Sequence, residues 1–451
     1  VRLAARIGVK WNRVTWFDWA HMMKRVNGGW DLSYFYETHD ACLQNGIITL
    51  PILCGIKNFT SLIETSQKAY GEKIPVYELG NEPEGEPWLW GGAEQGFATI
   101  AQTNAETTAF VREHYPHLRT ASTATVHVDV GLLSAIMESG PDPFDIASIH
   151  FYRTPFGPEL LMKDDVKAVR EITGDKPIWI TEVSWETNNT PLGVSEESQA
   201  SYLARTYLWG MKEGIEKIFW YNMRNDIHGL IYENGTPKAS LVAYNAMTAI
   251  LGSTPVWQEE ITKFGPELKI LRFKAKAGDV TAIWSLGEAY DLSLETELDS
   301  YFDLFGNRRA IASQNGKKTL RITGSPIYLP GALAAEQLLA AAGAKECPEF
   351  PQGLEIRILP HVLSGEESQI CVYLKNHSSS SLEGSVALEF ANAGERKLEI
   401  PADWKLQPVG KPDFSLAPDQ EAEIYFAPQA AGFDPYQPDK GYLVLWWVEG
   451  Y

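Results

Sequence analysis

Cysteine is scarce in this chain, with four in 451 residues: Cys42, Cys54, Cys347 and Cys371. None falls in a CxxC or histidine-rich pattern, so neither a zinc site nor a disulfide scaffold organises the fold. Cys42, in a helical stretch, and Cys54, at the end of a strand-like one, read as core thiols. Positive charge is also short. There are 39 Lys and Arg against 58 Asp and Glu, a net charge of −19. That balance argues against nucleic acid and against anionic membrane surfaces as partners. No apolar run reaches the ~18 residues that a membrane span needs. No GxGxxG follows any strand-like segment, which leaves a dinucleotide-binding reading without support. No signal peptide is visible and the first residue is Val1, not Met. The start, Val1 to Gly8, resembles the last turns of a helix ending at glycine, so the numbering is expected to begin inside a longer chain. A secreted or periplasmic location is expected, although the cysteines do not decide it.

Hydrophobic residues make up 44% of the chain and charged residues 22%, as in a globular protein long enough for two or three domains. Over the first ~250 residues, strand-like and helix-like segments alternate. Strands are expected at 8–14, 47–53, 75–80, 118–125, 145–152, 177–183 and 217–222. Helices are expected at 31–45, 94–115, 159–172, 195–214 and 239–251. The intervening stretches 16–31, 54–74, 84–93 and 185–195 read as loops. Such alternation implies a parallel sheet, and seven strands in a row favour a closed (β/α)8 TIM barrel over an open sheet. One strand is then missing, and it is expected upstream of Val1.

The pattern changes near residue 253. Short alternating strands up to residue 330 predict a β-sandwich packed on the barrel. Residues 331–352 are rich in alanine and predict a linker or short helix. A second run of alternating strands over 353–451 predicts an immunoglobulin-like β-sandwich. That last domain reads as a brace or an oligomer contact. Its Trp446-Trp447 pair also leaves room for binding polysaccharide.

Two glutamates stand at the ends of two buried strands. Asn81-Glu82-Pro83 closes the run Pro75 to Gly80, and Glu182 closes Pro177 to Thr181. In a barrel, catalytic groups project from C-terminal strand ends. With one strand upstream, Glu82 ends strand four and Glu182 ends strand seven, across the mouth from each other. Two opposed carboxylates, one acid and one nucleophile, are the equipment for cleaving a glycosidic bond.

Leu79-Gly80-Asn81-Glu82-Pro83 and Trp179-Ile180-Thr181-Glu182 resemble the motifs of clan A retaining glycoside hydrolases. Within that clan the chain is most similar to glycoside hydrolase family 39. That likeness is carried by Gly8 to Arg13, by Gly229-Leu230-Ile231 with Gly235-Thr236-Pro237-Lys238, and by Asp303 to Asn307 followed by Ser325 to Leu329. The resemblance implies that Glu82 is the acid/base and Glu182 the nucleophile. It implies that Asn81 bonds a sugar 2-hydroxyl, that Arg13 keeps Glu182 ionised, and that Tyr152, with His150, bonds the nucleophile side. Trp220 would form the floor under the sugar. His150 and Trp220 are also readable as core side chains. Trp16, Trp19, Trp88, Trp90 and Trp185 follow strand ends, where they can build sugar subsites. After Arg13 the chain reads Trp16-Phe17-Asp18-Trp19-Ala20-His21, where close relatives usually carry a Glu-Pro stretch and Tyr-Asp-Trp. The substrate therefore stays open.

The expected activity is that of a retaining β-glycoside hydrolase on an oligo- or polysaccharide, with no metal and no cofactor. Two alternatives stand beside it. One is another clan A family with endo-acting polysaccharide hydrolase activity. The other is a non-catalytic carbohydrate-binding barrel, which carboxyls more than ~7 Å apart would favour.

Overall fold

A computed structural model describes residues 1–15, 25–26, 29–30, 33–53, 59–83, 96–188, 193–287, 289–314, 317–342, 354–362, 368–376, 378–392, 405–429 and 442–449. The first 250 residues form an α/β core. Its parallel strands are β1 (Trp11–Thr15), β2 (Ile48–Ile52), β3 (Val76–Glu78), β4 (Arg119–Ala121), β5 (Ala147–His150), β6 (Ile178–Val183) and β7 (Ile215–Trp220). They pair in chain order. β1 to β4 form one sheet and β5 to β7 another, and a parallel bridge from Ala121 to Ile146 joins the two.

Most of these strand residues are buried, as in a parallel sheet covered by helices, with polar side chains such as Arg13, Glu78 and Ser148 set among the apolar ones. All three residues of β3 and all six of β6 are buried. One cluster draws a side chain from each strand or its approach. Leu50, Val76, Ala121, Ile146, Trp179 and Phe219 pack together, with Trp11 against them. Lys217, on β7, lies over the rings of both Trp11 and Trp179, which brings the last strand to the first.

The helices are α1 (Arg2–Arg6), α2 (Ser33–Gln44), α3 (Phe59–Tyr70), α4 (Gly96–His114), α5 (Val130–Glu138), α6 (Glu159–Thr173), α7 (Glu196–Lys212) and α8 (Ala239–Leu251). Among the described residues, none is long and apolar enough to cross a membrane. Ser195 caps α7 by accepting the Ser198 amide, and Asp129 caps α5 by accepting that of Leu132. Helix α3 corrects the loop expected over 54–74. Its face buries Phe59, Leu62 and Ile63 but also Ser66 and Gln67, which bond the Tyr77 hydroxyl.

Residues 256–342 form two antiparallel sheets, of six and four strands. Of the stretch 331–352, expected as a linker or short helix, Ala335–Gln337 is a short 3-10 helix, and the five residues after it depart from the expectation. Leu338–Ala342 is an edge strand paired with Tyr290–Leu294, because Leu338 fills the small core beside Leu292 and Leu294. The larger sheet shares its hydrophobic core with the helices: Leu271, Phe273, Trp284 and Tyr328 join the cluster of Leu203, Leu208 and Met247. A buried polar pin reinforces that junction. Glu159 accepts two bonds from Arg205 and one, at 2.7 Å, from the Trp284 indole N–H. Between 354 and 449 the strands form a four-stranded and a three-stranded antiparallel sheet. Cys42 and Cys371 are buried free thiols.

Candidate active site

The site is assembled at the C-terminal ends of β1, β3, β5 and β6. Register explains why the glutamates arrive there. Ile149 pairs with Ile180 but His150 pairs with Glu182, so Thr181 is an extra residue on β6. Such a bulge re-aims the side chains that follow it, and it sets Glu182 beside His150. On β3 the chain continues past Glu78 through a bridge from Asn81 to Ala124, and the Glu82 amide donates to the Ala124 carbonyl at 2.8 Å. Glu82 itself has a φ of 38°, in the left-handed region. Non-glycine residues held there cluster at functional sites.

A buried polar group fixes that strand end. Gly80 has a φ of 143°, and a Cβ there would meet the Thr123 hydroxyl at 2.6 Å. Thr123 donates that hydroxyl to the Leu79 carbonyl at 2.5 Å and accepts the Asn104 amide at 2.9 Å. Glycine is required here because no side chain fits between the two elements.

Arg13 is the hub. Its Nε donates to Glu78 at 2.5 Å, its Nη1 to Glu182, and its Nη2 to the Asn81 side-chain oxygen at 2.7 Å. Nη2 also faces His150 Nε2 at 3.4 Å. A guanidinium has donors only, so Nε2 is the nitrogen that can accept at this contact, and the neutral tautomer that does so carries its proton on Nδ1. That Nδ1 is 2.7 Å from Glu82 Oε1. Tyr152, just beyond β5, donates its hydroxyl to Glu182 Oε2 at 2.7 Å.

The two glutamates differ in surroundings. Glu182 is buried, which alone would raise its pKa, but the Arg13 guanidinium, then the His150 ring and the Tyr152 hydroxyl, outweigh burial and hold it below the usual carboxylate range. Tyr152 is pushed upward by burial and by the Glu182 charge, so it stays a phenol and a donor. Glu82 is more open, and its described partner is the His150 ring. One atom each of Glu82, His150 and Glu182 lie within 4.8 Å of one another. These are donors that a divalent cation accepts, but the Arg13 charge already sits on both Glu182 and His150, which opposes a second cation.

Of the residues singled out in the sequence, Glu82, Glu182, Asn81, Arg13, His150 and Tyr152 thus meet at one place. Trp220 ends β7, half-buried, with its N–H donated to the His228 carbonyl at 3.1 Å. Trp185 is a correction. It is fully buried, donates its N–H to the Phe156 carbonyl at 2.7 Å, and stacks behind Trp220 with ring centres 5.9 Å apart. A ring so enclosed offers no face to a sugar. Trp16, Trp19, Trp88 and Trp90 lie outside the described residues. Glu78 was not singled out. A carboxylate inside the apolar run Val76 to Leu79 is the signal that marks it.

The profile of a family described as "Glycosyl hydrolase catalytic core" matches residues 18–249. The match spans just over half of the chain, which therefore belongs to that family and is a glycoside hydrolase with a carbohydrate substrate. The sequence is 19% identical to a solved family 39 glycoside hydrolase from the gut symbiont Bacteroides cellulosilyticus WH2, with a TM-score of 0.59 over 73% of this chain and 76% of that one. A family 51 alpha-L-arabinofuranosidase from Bifidobacterium longum is 11% identical, with a TM-score of 0.51 over 72% and 88%. A GH30 endoxylanase from Clostridium papyrosolvens C71 is 13% identical, with a TM-score of 0.50 over 72% and 90%. At these identities the likeness is one of fold. No curated protein matches the chain.

Proposed function

We propose that the protein is a retaining β-glycoside hydrolase in which Glu182 is the nucleophile and Glu82 the acid/base. The observation that carries this reading is the closeness of the two carboxylates, with one oxygen of each within 4.8 Å of the other. Retaining enzymes keep their carboxyls about 5–5.5 Å apart, a spacing that this approach of the two oxygens allows, whereas inverting ones leave ~6.5–9.5 Å for a water. The same closeness speaks against a non-catalytic sugar-binding domain. The α/β core reads as a (β/α)8 barrel, supported by seven parallel strands in chain order and one packed layer drawing on all of them.

In the first step a Glu182 oxygen bonds to the anomeric carbon while the bond to the leaving group breaks. The proton on Glu82 passes to the leaving oxygen. In the second step Glu82, now a carboxylate, takes a proton from water as the water oxygen bonds to the same carbon. The ester to Glu182 breaks and its electron pair returns to the carboxylate. Arg13 and Tyr152 keep Glu182 charged between turnovers, and the His150 Nδ1–H stabilises the Glu82 carboxylate before water enters. Asn81 spends its oxygen on Arg13, which leaves its amide nitrogen to donate to a sugar hydroxyl. Trp220, braced by Trp185, forms the floor.

The test begins with a panel of p-nitrophenyl β-glycosides. On any active member, proton NMR of the first-formed sugar shows the β anomer. Glu182→Ala abolishes turnover, and added azide restores it with an α-glycosyl azide as product. An α first product, or wild-type rates in Glu182→Ala, overturns the proposal.

A further inference from the structure

We propose that Glu78 is a positioning residue for this reaction, holding Arg13 so that one guanidinium meets Glu182 and Asn81 together. The inference rests on the reading of Glu182 as nucleophile.

Glu78 is wholly buried on β3, between the buried Tyr77 and Leu79. A carboxylate in such a place is costly unless both oxygens are satisfied. Both are. Oε2 accepts Arg13 Nε at 2.5 Å, and Oε1 accepts the Ser148 hydroxyl at 2.5 Å. Ser148 in turn shares a hydrogen bond of 2.7 Å with Thr181. Each contact ties a site-bearing strand to the same point. Glu78 lies four residues before Glu82, Ser148 two before His150, and Thr181 immediately before Glu182.

Arg13 shows what this anchor does. The guanidinium is a rigid planar fork, so fixing Nε fixes the plane in which Nη1 and Nη2 point. With Nε on Glu78, Nη1 reaches Glu182 and Nη2 reaches Asn81. Glu182 alone would leave the plane free to turn about the Nη1 contact, and Asn81 would lose its partner.

Two substitutions separate anchoring from charge. Glu78→Gln keeps an acceptor of the same length for Nε and removes the charge. Its amide nitrogen donates to Ser148, whose hydroxyl turns to accept. Glu78→Asp keeps the charge and draws it back by one methylene, so it cannot reach Nε and Ser148 at once. Each variant of the full chain is assayed on the p-nitrophenyl glycoside that the wild type cleaves, with a melting curve to show folding. Positioning predicts that Gln keeps kcat within about tenfold while Asp loses about 100-fold, mostly in kcat.

The pH profile adds a readout that a merely structural role leaves still. The charged and titratable groups facing Glu182 are Arg13, Tyr152, His150, Glu82 and His228, with Glu78 behind Arg13. As Arg13 draws away in Asp, the acid limb of kcat/KM moves to higher pH, whereas in Gln it does not rise. Asp matching or exceeding Gln in rate overturns the proposal. So does a folded Gln variant that loses more than about 100-fold by itself. If Glu182→Ala keeps its activity, the nucleophile reading has failed. If it is dead and rescued by azide while both Glu78 variants turn over like wild type, only the positioning role has failed.

Discussion

The Tyr152 hydroxyl lies 2.7 Å from Glu182 Oε2, while Arg13 holds the other oxygen of the same carboxylate. Glu182 is therefore gripped at both oxygens by donors and kept ionised although it is buried. Removing one grip tests the other. Tyr152→Phe deletes a hydrogen bond to a charge, worth about 1.5–3 kcal/mol. Tyr152→Phe is expected to lower kcat/KM by roughly 10- to 100-fold. The acid limb of the profile moves to higher pH, because the remaining balance of burial against Arg13 and His150 favours the proton more. Unchanged rate and profile would show that the phenol contributes nothing to the state of Glu182.

The depressed pKa of Glu182 also links folding to pH. The sign follows from its direction. A carboxyl whose folded pKa lies below its unfolded value of about 4.3 adds stability above that pH. The contribution is lost as pH falls through the folded value. Glu182→Gln has no such titration. The melting temperature of the wild type should therefore fall relative to that of Glu182→Gln on acidification below about pH 4.3. A gap that widens in favour of the wild type would contradict the depressed pKa.

Gly80 makes a prediction that is independent of charge. Alanine there must hold a φ of 143° and place its Cβ 2.6 Å from the Thr123 hydroxyl. Gly80→Ala is expected to cost roughly 2–4 kcal/mol of unfolding free energy. Because Thr123 also bonds the Leu79 carbonyl, the clash moves the strand end that carries Glu82. Activity at temperatures well below melting should fall as well, and a comparison of kcat with melting temperature separates the two effects.

The strands that carry Glu82 and Glu182 are legible in the sequence because their residues announce both burial and exit. Apolar runs lead to Glu82 and Glu182, and the polar residue falls where the run stops. Helix α3 was not legible for the opposite reason. Ser66 and Gln67 occupy its inner face and bond Tyr77, so the apolar period is broken where the packing is polar. Leu338–Ala342 reads as a linker because alanines carry no strand signature, and only its pairing with Tyr290–Leu294 makes it a strand. Trp185 was misplaced because a tryptophan beyond a strand end looks the same in sequence whether it faces a ligand or the neighbouring helix. The role of Glu78 is not legible in the sequence, because it depends on Arg13, 65 residues away.

One buried carboxylate reinforces the shared apolar core that joins the α/β region to the antiparallel sheets of residues 256–342. Glu159 binds Arg205, with both side chains under a tenth exposed, and accepts the Trp284 indole N–H from the larger antiparallel sheet. Replacing Glu159 by Ala strands a buried guanidinium and an indole N–H together. Breaking such a pair costs about 3–5 kcal/mol, and Glu159→Ala is expected to lower the melting temperature accordingly. Arg205 also reaches the Gly324 carbonyl at 3.5 Å, so the loss is felt on both sides of the junction. Replacing Glu159 and Arg205 together, by Leu and Met, removes both charges and should recover part of the loss, since no ion is then left unpaired. Thermal unfolding of the two variants decides it. If the double variant melts no higher than the single one, the pin acts through shape and not through charge.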